Sequence, residues 1–269
     1  MISIKSDREI RLLEEAGRIV YETHCYLKKF IKPGITTKEI DDLGEKFILS
    51  QGATPSFKGY QGYPASICTS INEVVVHGIP SNRKLKNGDI ITLDIGACYK
   101  GYHGDSAWTY RVGTISPENE YLLEHTEKSL YKGLMEVKPG NHIGDIGYAI
   151  ETYASSHNLG VVLELVGHGV GTSVHEEPDV PNYGKKGEGP LIKEGMVLAI
   201  EPMLTLGRPN IVLLDDDWTI ETEDYSMSAH YEHTVVVTHD GYKILTGGKN
   251  GQEWYYWSRR KSFRSFTRV

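Results

Sequence analysis

The sequence is built on an internal repeat, which constrains the fold more than any other feature. Residues 85–94 read LKNGDIITLD and residues 192–201 read IKEGMVLAIE, so in each copy a lysine and a glycine lead into an apolar segment that ends on a carboxylate. Upstream, the tripeptide KPG occurs at residues 32–34 and again at 138–140. The first pair is offset by 107 residues (85 to 192) and the second by 106 (32 to 138). These nearly equal offsets predict two halves of similar fold.

Helices are predicted at the start of each half. Ser6 and Glu9 form a capping-box signature ahead of apolar residues at helical spacing, and Ser116 followed by Pro117 is typical of a helix start. Both of these helices are expected to run to a KPG stop. A second helix is predicted after the stop in each half, at residues 37–51 and at about 143–157.

Strands dominate the remainder of each half. The clearest are residues 89–99 and 102–112, which flank a Lys-Gly turn and predict a hairpin. Helices followed by strands indicate an α+β fold with antiparallel strands, and the repeat would bring strands of the two halves around one central site. We expect a single domain over residues 1–248, with halves at about 1–115 and 116–248, and a separate tail at 249–269.

Four carboxylates lie within or beside the apolar strands. Asp94 and Asp105 belong to the two arms of the predicted hairpin, Glu201 ends an apolar run and Glu232 precedes one. Any one of them could be a solvated residue on a polar strand face. Brought together by the repeat they would be buried, and unpaired buried carboxylates repel one another unless cations lie between them. The four therefore predict a site for two divalent cations.

Three histidines are candidates for the same site. His168 lies in the segment GHGVG, where the flanking glycines allow a close backbone approach and leave the imidazole unobstructed. A lone histidine is more often a packed or surface residue than a metal ligand. His77, in VHGIP, and His175, in VHEEP, are further candidates whose local sequence fits ordinary loop histidines equally well.

Composition and charge exclude several classes of protein. Apolar residues make up 39% of the chain, and a formal net charge of −7 gives no reason to expect nucleic-acid binding by the whole chain. The three cysteines form neither a zinc motif nor a disulfide framework. No apolar run approaches the roughly 20 residues of a membrane helix, and the first residues lack a signal-peptide core. We expect a cytoplasmic monomer with no membrane partner.

A series of longer motifs resembles the methionine aminopeptidases. The similarity runs from near residue 1 to about residue 247, and its main segments are YQGYP (60–64), INEVVVHGIP (71–80), GYHGD (101–105), GHGVG (167–171), IEP (200–202) and YEHT (231–234). The resemblance implies the pita-bread fold, in which two pseudo-symmetric halves enclose a dinuclear metal site. The short interval between His168 and Glu201 resembles the type I enzymes.

The resemblance also implies roles for individual residues. The metal ligands would be Asp94, Asp105, His168, Glu201 and Glu232. His77 and His175 would act in catalysis by contacting the scissile amide and the developing oxyanion. The ligand set itself makes Glu201 the expected proton shuttle, through an oxygen that is unliganded or weakly bound. The substrate pocket, bordered by the same two histidines, would be lined by Tyr60, Tyr63, Cys68 and Trp218.

The implied activity is hydrolysis of the initiator methionine from nascent proteins and peptides whose second residue is small. Four oxygen-donor residues and one imidazole suit two divalent ions of Mn, Fe(II), Co or Zn. A hydroxide that bridges the two ions would attack the carbonyl carbon of the first residue. Two positions depart from the family pattern beside the pocket, namely Phe57, where a cysteine is common, and Val174, where an aromatic residue is common.

Two other functions fit parts of the sequence. A metallopeptidase of the same fold that cleaves before proline uses a similar ligand set, although such enzymes usually carry a large N-terminal domain. A non-enzymatic binding protein that reuses the fold would be expected to lose metal ligands, and all five are present here.

The tail at residues 249–269 is basic and aromatic. The segment WYYW at 254–257 is followed by five cations and no acid, since the last carboxylate is Glu253. In one interpretation the aromatic residues pack on the domain and the basic end is solvated. In the other, the tail contacts ribosomal RNA through phosphate contacts and base stacking.

Overall fold

The helices begin where the capping signals predict. The computed structural model describes residues 2–248, so the predictions for the tail at 249–269 lie outside the described residues. The Ser6 N–H donates to the Glu9 carboxylate at 2.8 Å, and the Ser116 hydroxyl accepts from the Asn119 N–H at 3.2 Å. The α-helices are α1 Asp7–Leu27, α2 Thr37–Ser50, α3 Pro117–Leu134 and α4 Ile143–Ser156. The helix predictions are confirmed, although α1 and α3 end four residues or more before each KPG.

The strands of the described residues are mostly short. In chain order they are β1 Thr54–Pro55, β2 Cys68–Ile71, β3 Val74–Val76, β4 Ile90–Tyr99, β5 Tyr102–Arg111, β6 Gly160–Val161, β7 Gly167–Gly169, β8 Glu176–Val180, β9 Val197–Ile200, β10 Met203–Thr205, β11 Ile211–Leu213, β12 Ile220–Thr222, β13 Ser228–His230, β14 His233–Val237 and β15 Tyr242–Ile244. A short 3₁₀ helix occupies Tyr60–Gly62. The predicted hairpin is confirmed as β4 and β5.

The strands form small antiparallel sheets, in agreement with the predicted α+β class. One sheet has the order β1-β4-β2 with β5 paired to β4, and another has the order β15-β14-β9-β7-β8. Two three-stranded sheets, β13-β10-β6 and β11-β12-β3, complete the described set. Strand β3 pairs with β12, so a strand from before residue 115 is joined to one from after it.

The repeated sequence segments make matching backbone contacts. The N–H of Gly34 donates to the Leu85 carbonyl at 2.8 Å, and the N–H of Gly140 donates to the Ile192 carbonyl at 3.2 Å. The N-cap residues of α2 and α4 each form an isolated β-bridge with the residue just before the repeat, Thr36 with Lys84 and His142 with Leu191. Each KPG motif is therefore joined to the strand segment of its own half in the same way.

Helix α1 supports the hairpin from one side. Its apolar residues recur at helical spacing and pack against β4 and β5, and they include the fully buried Leu13, Ile19 and Val20. The approach is closest at Gly104, where a Cβ atom would lie 2.7 Å from the backbone nitrogen of Gly17. This packing fixes the hairpin that carries Asp94 and Asp105. In the described range, the helices are too short or too polar to cross a membrane.

Candidate metal centre and active site

The hairpin β4–β5 places its two aspartates on one face. Asp94 is paired with Ala107 across the ladder, and Gly96 is paired with Asp105. Because residues directly opposite or two apart share a face of a sheet, the Asp94 and Asp105 side chains are diagonal neighbours. On its other side Asp94 pairs with Cys68 of β2. The hairpin and β2 thus place two carboxylates and a thiol on the same surface.

The remaining candidates come from the five-stranded sheet. His168 lies in β7 and pairs with Ala199 of β9, and Glu201 follows β9 directly. Glu232 comes immediately before β14, whose first residue pairs with the last residue of β9. Three neighbouring strands therefore carry one imidazole and two carboxylates to the same end of the sheet.

Hydrogen bonds join this sheet to β5. The Glu232 N–H donates to the Ala107 carbonyl at 2.8 Å, and the Ser106 hydroxyl donates to the Glu232 carbonyl at 2.7 Å. The Thr234 hydroxyl donates to the Asp105 carbonyl at 2.7 Å. These bonds hold the Asp105 and Glu232 backbones side by side, so residues 127 positions apart in the chain become neighbours (105 to 232).

The candidate ligand atoms converge. Donor atoms of Asp105, His168 and Glu232 lie within 4.8 Å of one another, as do those of Glu201, His230 and Glu232. Glu232 belongs to both groups, and Asp94 faces Asp105 from the neighbouring strand position. The structure thus brings together all five residues that were predicted as metal ligands, and His230 lies in the same cluster.

Burial leaves these carboxylates with little compensation. Oxygen atoms of Asp94, Asp105 and Glu232 are buried without a hydrogen-bond partner among the described residues. Burial raises the pKa values of Asp94, Asp105, Glu201 and Glu232, and repulsion from neighbouring carboxylates raises those of Asp105 and Glu232 further. Such a set of oxygens fits divalent cations, which would occupy the unpaired lone pairs and cancel the repulsion.

His168 is oriented as a metal ligand would be. Its Nδ1 lies 3.0 Å from the Gly169 carbonyl, so the Nδ1–H donates there and the Nε2 lone pair faces the centre. Burial, followed by the proximity of His175, lowers the pKa of His168 to about 3, which keeps the imidazole neutral at physiological pH. Gly167 beside it is required by space, since a Cβ atom there would lie 2.3 Å from the Ala199 carbonyl oxygen.

His77 and His175 lie around this cluster. The His175 ring is 4.1 Å from the His168 ring between centroids, and its Nδ1 is 3.0 Å from the Tyr60 hydroxyl. His77 follows β3 in a left-handed conformation with φ of 57° and meets the Trp218 ring edge-on at 6.2 Å. Burial first, then His230 and His175, lower the pKa of His77 to about 4, so this ring is neutral as well.

An apolar cluster adjoins the centre. It contains the buried residues Phe57, Tyr63, Ala65, Cys68 and Val174, with Ile79 and Trp218 at its edge. The Tyr63 and Trp218 rings make an edge-on contact at 5.1 Å. Both positions that depart from the family pattern, Phe57 and Val174, therefore lie in the cluster that holds three of the four nominated pocket residues. The fourth, Tyr60, is half-buried and contacts His175 instead.

A cavity of about 450 Å³ opens beside His168 and His175. It is lined by Val166, Gly167, His168, His175, Glu176, Glu177 and Asp179. Glu176 pairs with Lys5, so Glu177 and Asp179 make the opening acidic and favour the approach of a cation.

His230 is the residue of the cluster that sequence reasoning missed. It is 2% exposed and lies between Glu201 and the hairpin. A lone histidine in an apolar segment gives no signal by itself. The period of two along SAHYEH would have pointed to it, because in extended chain residues 230 and 232 share a face.

Comparison with known proteins identifies the family. The model for metallopeptidase family M24 matches residues 11–239. Methionine aminopeptidase 1 of Bacillus subtilis (strain 168) is 56% identical over 246 residues, which are 91% of this chain and 99% of the relative. The methionine aminopeptidase of Clostridium perfringens is 48% identical over 246 residues, with the same coverage of both chains.

Solved structures agree with this result. The crystal structure of methionine aminopeptidase from Rickettsia prowazekii matches with a TM-score of 0.90 at 42% identity, covering 91% of this chain and 100% of that chain. The prolidase from Pyrococcus horikoshii OT3 matches with a TM-score of 0.76 at 24% identity and is covered to 64%, a likeness that shows the fold alone. The expected pita-bread fold is confirmed. This chain belongs to metallopeptidase family M24 and, within it, to the methionine aminopeptidases, which makes it a metal-dependent aminopeptidase.

Proposed function

We propose that the protein removes the N-terminal methionine from peptides and nascent proteins with a small second residue. The observation that carries this proposal is the buried cluster of carboxylates with unpaired oxygens next to an apolar, partly aromatic pocket. The cluster provides a place for hydrolytic chemistry, and the pocket provides a place for the methionine side chain.

Five residues would hold two divalent cations: Asp94, Asp105, His168, Glu201 and Glu232. When bound, the cations would supply an activated water and polarise the scissile carbonyl. Among the protein groups, Glu201 would move the proton from water to the leaving amine, a role supported by the 12% exposure of its side chain at the edge of the cluster. The proposed ions are Mn, Fe(II), Co or Zn, since each accepts mixed oxygen and imidazole ligands.

His175 would stabilise the developing oxyanion. In the proposed state the Tyr60 hydroxyl donates to Nδ1 of His175 across the 3.0 Å contact. The neutral ring then carries its proton on Nε2, which is free to donate to the carbonyl oxygen as charge develops there. His77 would contact the scissile amide, and the Trp218 ring packs edge-on against its imidazole.

The apolar cluster would select methionine. Tyr63 and Trp218 offer ring edges and faces to a thioether, which makes favourable contacts with aromatic rings. Cys68 connects the pocket to the centre, because it is the cross-strand partner of Asp94. The acidic lining of the cavity would attract the positively charged N-terminus of the substrate and orient it toward the carboxylates.

Hydrolysis of two tripeptides tests this proposal. Protein with a measured metal content is assayed on Met-Ala-Ser and on Ala-Pro-Phe, because the competing function on this fold is cleavage before proline. Cleavage of Met-Ala-Ser alone supports the proposal. Preferential cleavage of Ala-Pro-Phe would replace it with the proline-specific function. A protein that contains no metal, takes up none when divalent cations are added and cleaves neither peptide would have only a binding role.

The tail adds a proposed partner. Its cations Arg259, Arg260, Lys261, Arg264 and Arg268 follow four aromatic residues. On a chain with a net charge of −7, this segment could bind the ribosome, where nascent N-termini emerge. We further propose that the protein acts as a monomer in the cytoplasm.

A further inference from the structure

His230 lies at the end of β13, two residues before Glu232, and has none of the roles described above. Thr109 of β5 fixes its backbone on both sides. The Thr109 hydroxyl donates to the His230 carbonyl at 2.9 Å, and the His230 N–H donates to the same hydroxyl at 3.0 Å. The position of this residue is therefore set by contacts between β13 and strand β5 of the hairpin.

The His230 imidazole faces the carboxylates. Its Nε2 lies 3.3 Å from Oε2 of Glu201, while the other oxygen of Glu201, Oε1, lies 3.4 Å from Nε2 of His168. Glu201 is thus placed between two imidazoles, with one ring nitrogen near each oxygen. Both nitrogens of the buried His230 ring lack a hydrogen-bond partner among the described residues.

The 3.3 Å contact between His230 Nε2 and Oε2 of Glu201 does not have hydrogen-bond geometry. Two donors that bind one ion have this relation. With metal–ligand bonds of about 2.0–2.2 Å, ligand atoms at angles of roughly 90–110° lie about 3.0–3.5 Å apart. Glu232 is the third member of this group, within 4.8 Å of both.

We infer that His230 is a sixth protein ligand of the metal centre, whose Nε2 binds an ion shared with Glu201 and Glu232. This inference rests on the metal centre proposed above and adds a second imidazole to it. A second nitrogen donor shifts the preference of the centre away from Mg²⁺ and Ca²⁺ and toward cations that accept imidazole, such as Co²⁺, Fe²⁺ and Zn²⁺.

A crystal structure of the Co²⁺-loaded full-length protein, with the ions located by anomalous scattering, tests the inference. The expected result is a distance of about 2.1 Å from His230 Nε2 to one ion. Two ions among the carboxylates with His230 Nε2 more than 3 Å from both would overturn the inference and leave the proposed function standing. No ion among the carboxylates would remove the proposed centre itself.

A calorimetric titration with Co²⁺ supplies an independent readout. The variant His230→Gln keeps a hydrogen-bonding side chain of similar reach but lacks the imidazole, and we expect the Kd of one of the two ions to rise by about tenfold or more. The control is His24→Gln, because His24 is also fully buried but has hydrogen bonds to Tyr110 and Ser106. An unchanged Kd for both ions in His230→Gln, or an equal weakening in His24→Gln, would contradict the inference.

Discussion

Side chains at the centre carry more negative charge than the protein around them neutralises. Asp94, Asp105, Glu201 and Glu232 form no ion pair with lysine or arginine in the part of the chain that the structure describes, and the basic side chains close to Glu201 are the imidazoles of His168 and His230. Burial and mutual repulsion raise their pKa values, so the metal-free site favours protonated carboxyls. Cation binding would displace these protons, which couples metal loading to the charge state of the whole cluster.

A substitution at His175 would distinguish a role in substrate chemistry from a role in metal binding. The His175 ring contacts Tyr60 and His168 but lies outside both groups of converging ligand atoms. We expect His175→Ala to lower kcat by roughly 10²–10³, the usual effect of losing an oxyanion donor, with metal content near wild type. Steady-state kinetics and metal analysis of the same sample measure both, with the exposed His239→Ala as control. Loss of metal in proportion to activity would show that His175 is a ligand instead.

Phe57 and Val174 are expected to share one space in the pocket. They are 7% and 2% exposed and belong to the same buried cluster. Val174→Phe alone should overpack this cluster, at a cost of about 1–3 kcal/mol, and raise KM for methionyl peptides. Adding Phe57→Cys should restore part of the loss. A double-mutant cycle on KM measures the coupling, and strictly additive effects would mean that the two side chains do not share volume.

Single residues differ in how far sequence predicts them. The five nominated ligands stand in motifs whose order and spacing carry information, and the structure places them together. His230 lies just outside these motifs. Its neighbours in space, Thr109 and Glu201, are 121 and 29 positions away in the chain (109 to 230 and 201 to 230). The period of two places His230 on the same face as Glu232, but it does not encode the contacts with Thr109 and Glu201.

The segment that precedes α1 supports β8, the strand that follows His175. Lys5 pairs with Glu176 at 2.5 Å, with both side chains largely buried, and the Lys5 N–H donates to the Gly195 carbonyl. Burial would raise the pKa of Glu176, but Lys5, the Ser173 N–H and Ser3 outweigh it and lower the pKa to about 2. The segment therefore fixes the start of β8, next to the proposed oxyanion donor.

Replacing Lys5 with methionine should destabilise the protein in a pH-dependent way. A carboxylate whose folded pKa lies below its unfolded value of 4.5 stabilises the fold above that value and loses this contribution as pH falls toward 2. We expect Lys5→Met to lower the free energy of unfolding by about 1–3 kcal/mol at pH 7, with the difference shrinking below pH 4.5. Urea unfolding at several pH values measures it.

The exposed pair Lys38–Asp42 gives the matched control. Lys38→Met should change the free energy of unfolding by less than about 1 kcal/mol, since exposed pairs contribute little. A Lys5→Met effect no larger than that of Lys38→Met, or one independent of pH, would contradict the proposed support.

Elements with local signals were predictable and those without were not. Helices α1 and α3 begin at their capping residues because an N-cap hydrogen bond spans only three positions. Strand β7 has the sequence GHG and no apolar alternation, so its pairing with β8 and β9 was not anticipated. In the folded sheet the Ala199 carbonyl of β9 lies so close to Gly167 that a side chain at this position would clash with it. This close approach depends on the packing of β7 against β9 and leaves no signal in the local sequence.

The tail is predicted to affect binding to the ribosome and not the hydrolysis of peptides. Truncation after Gly251 removes every cation of the basic segment. Cleavage of a free tripeptide should be unchanged, whereas co-sedimentation with ribosomes should weaken and should fall steeply with salt in the full-length protein, because phosphate contacts release counterions. Equal co-sedimentation of both proteins at low salt would show that the tail is not a ribosome contact.

The central claim is that the buried carboxylates act as one metal-binding and catalytic unit. Metal content and Met-Ala-Ser hydrolysis are measured together for wild type, Asp105→Ala, Glu232→Ala and, as control, Asp240→Ala in an exposed turn. Each of the two central substitutions should reduce bound metal and lower kcat/KM by more than about 100-fold, while the control matches wild type. Full activity with unchanged metal content in either Asp105→Ala or Glu232→Ala would contradict the claim.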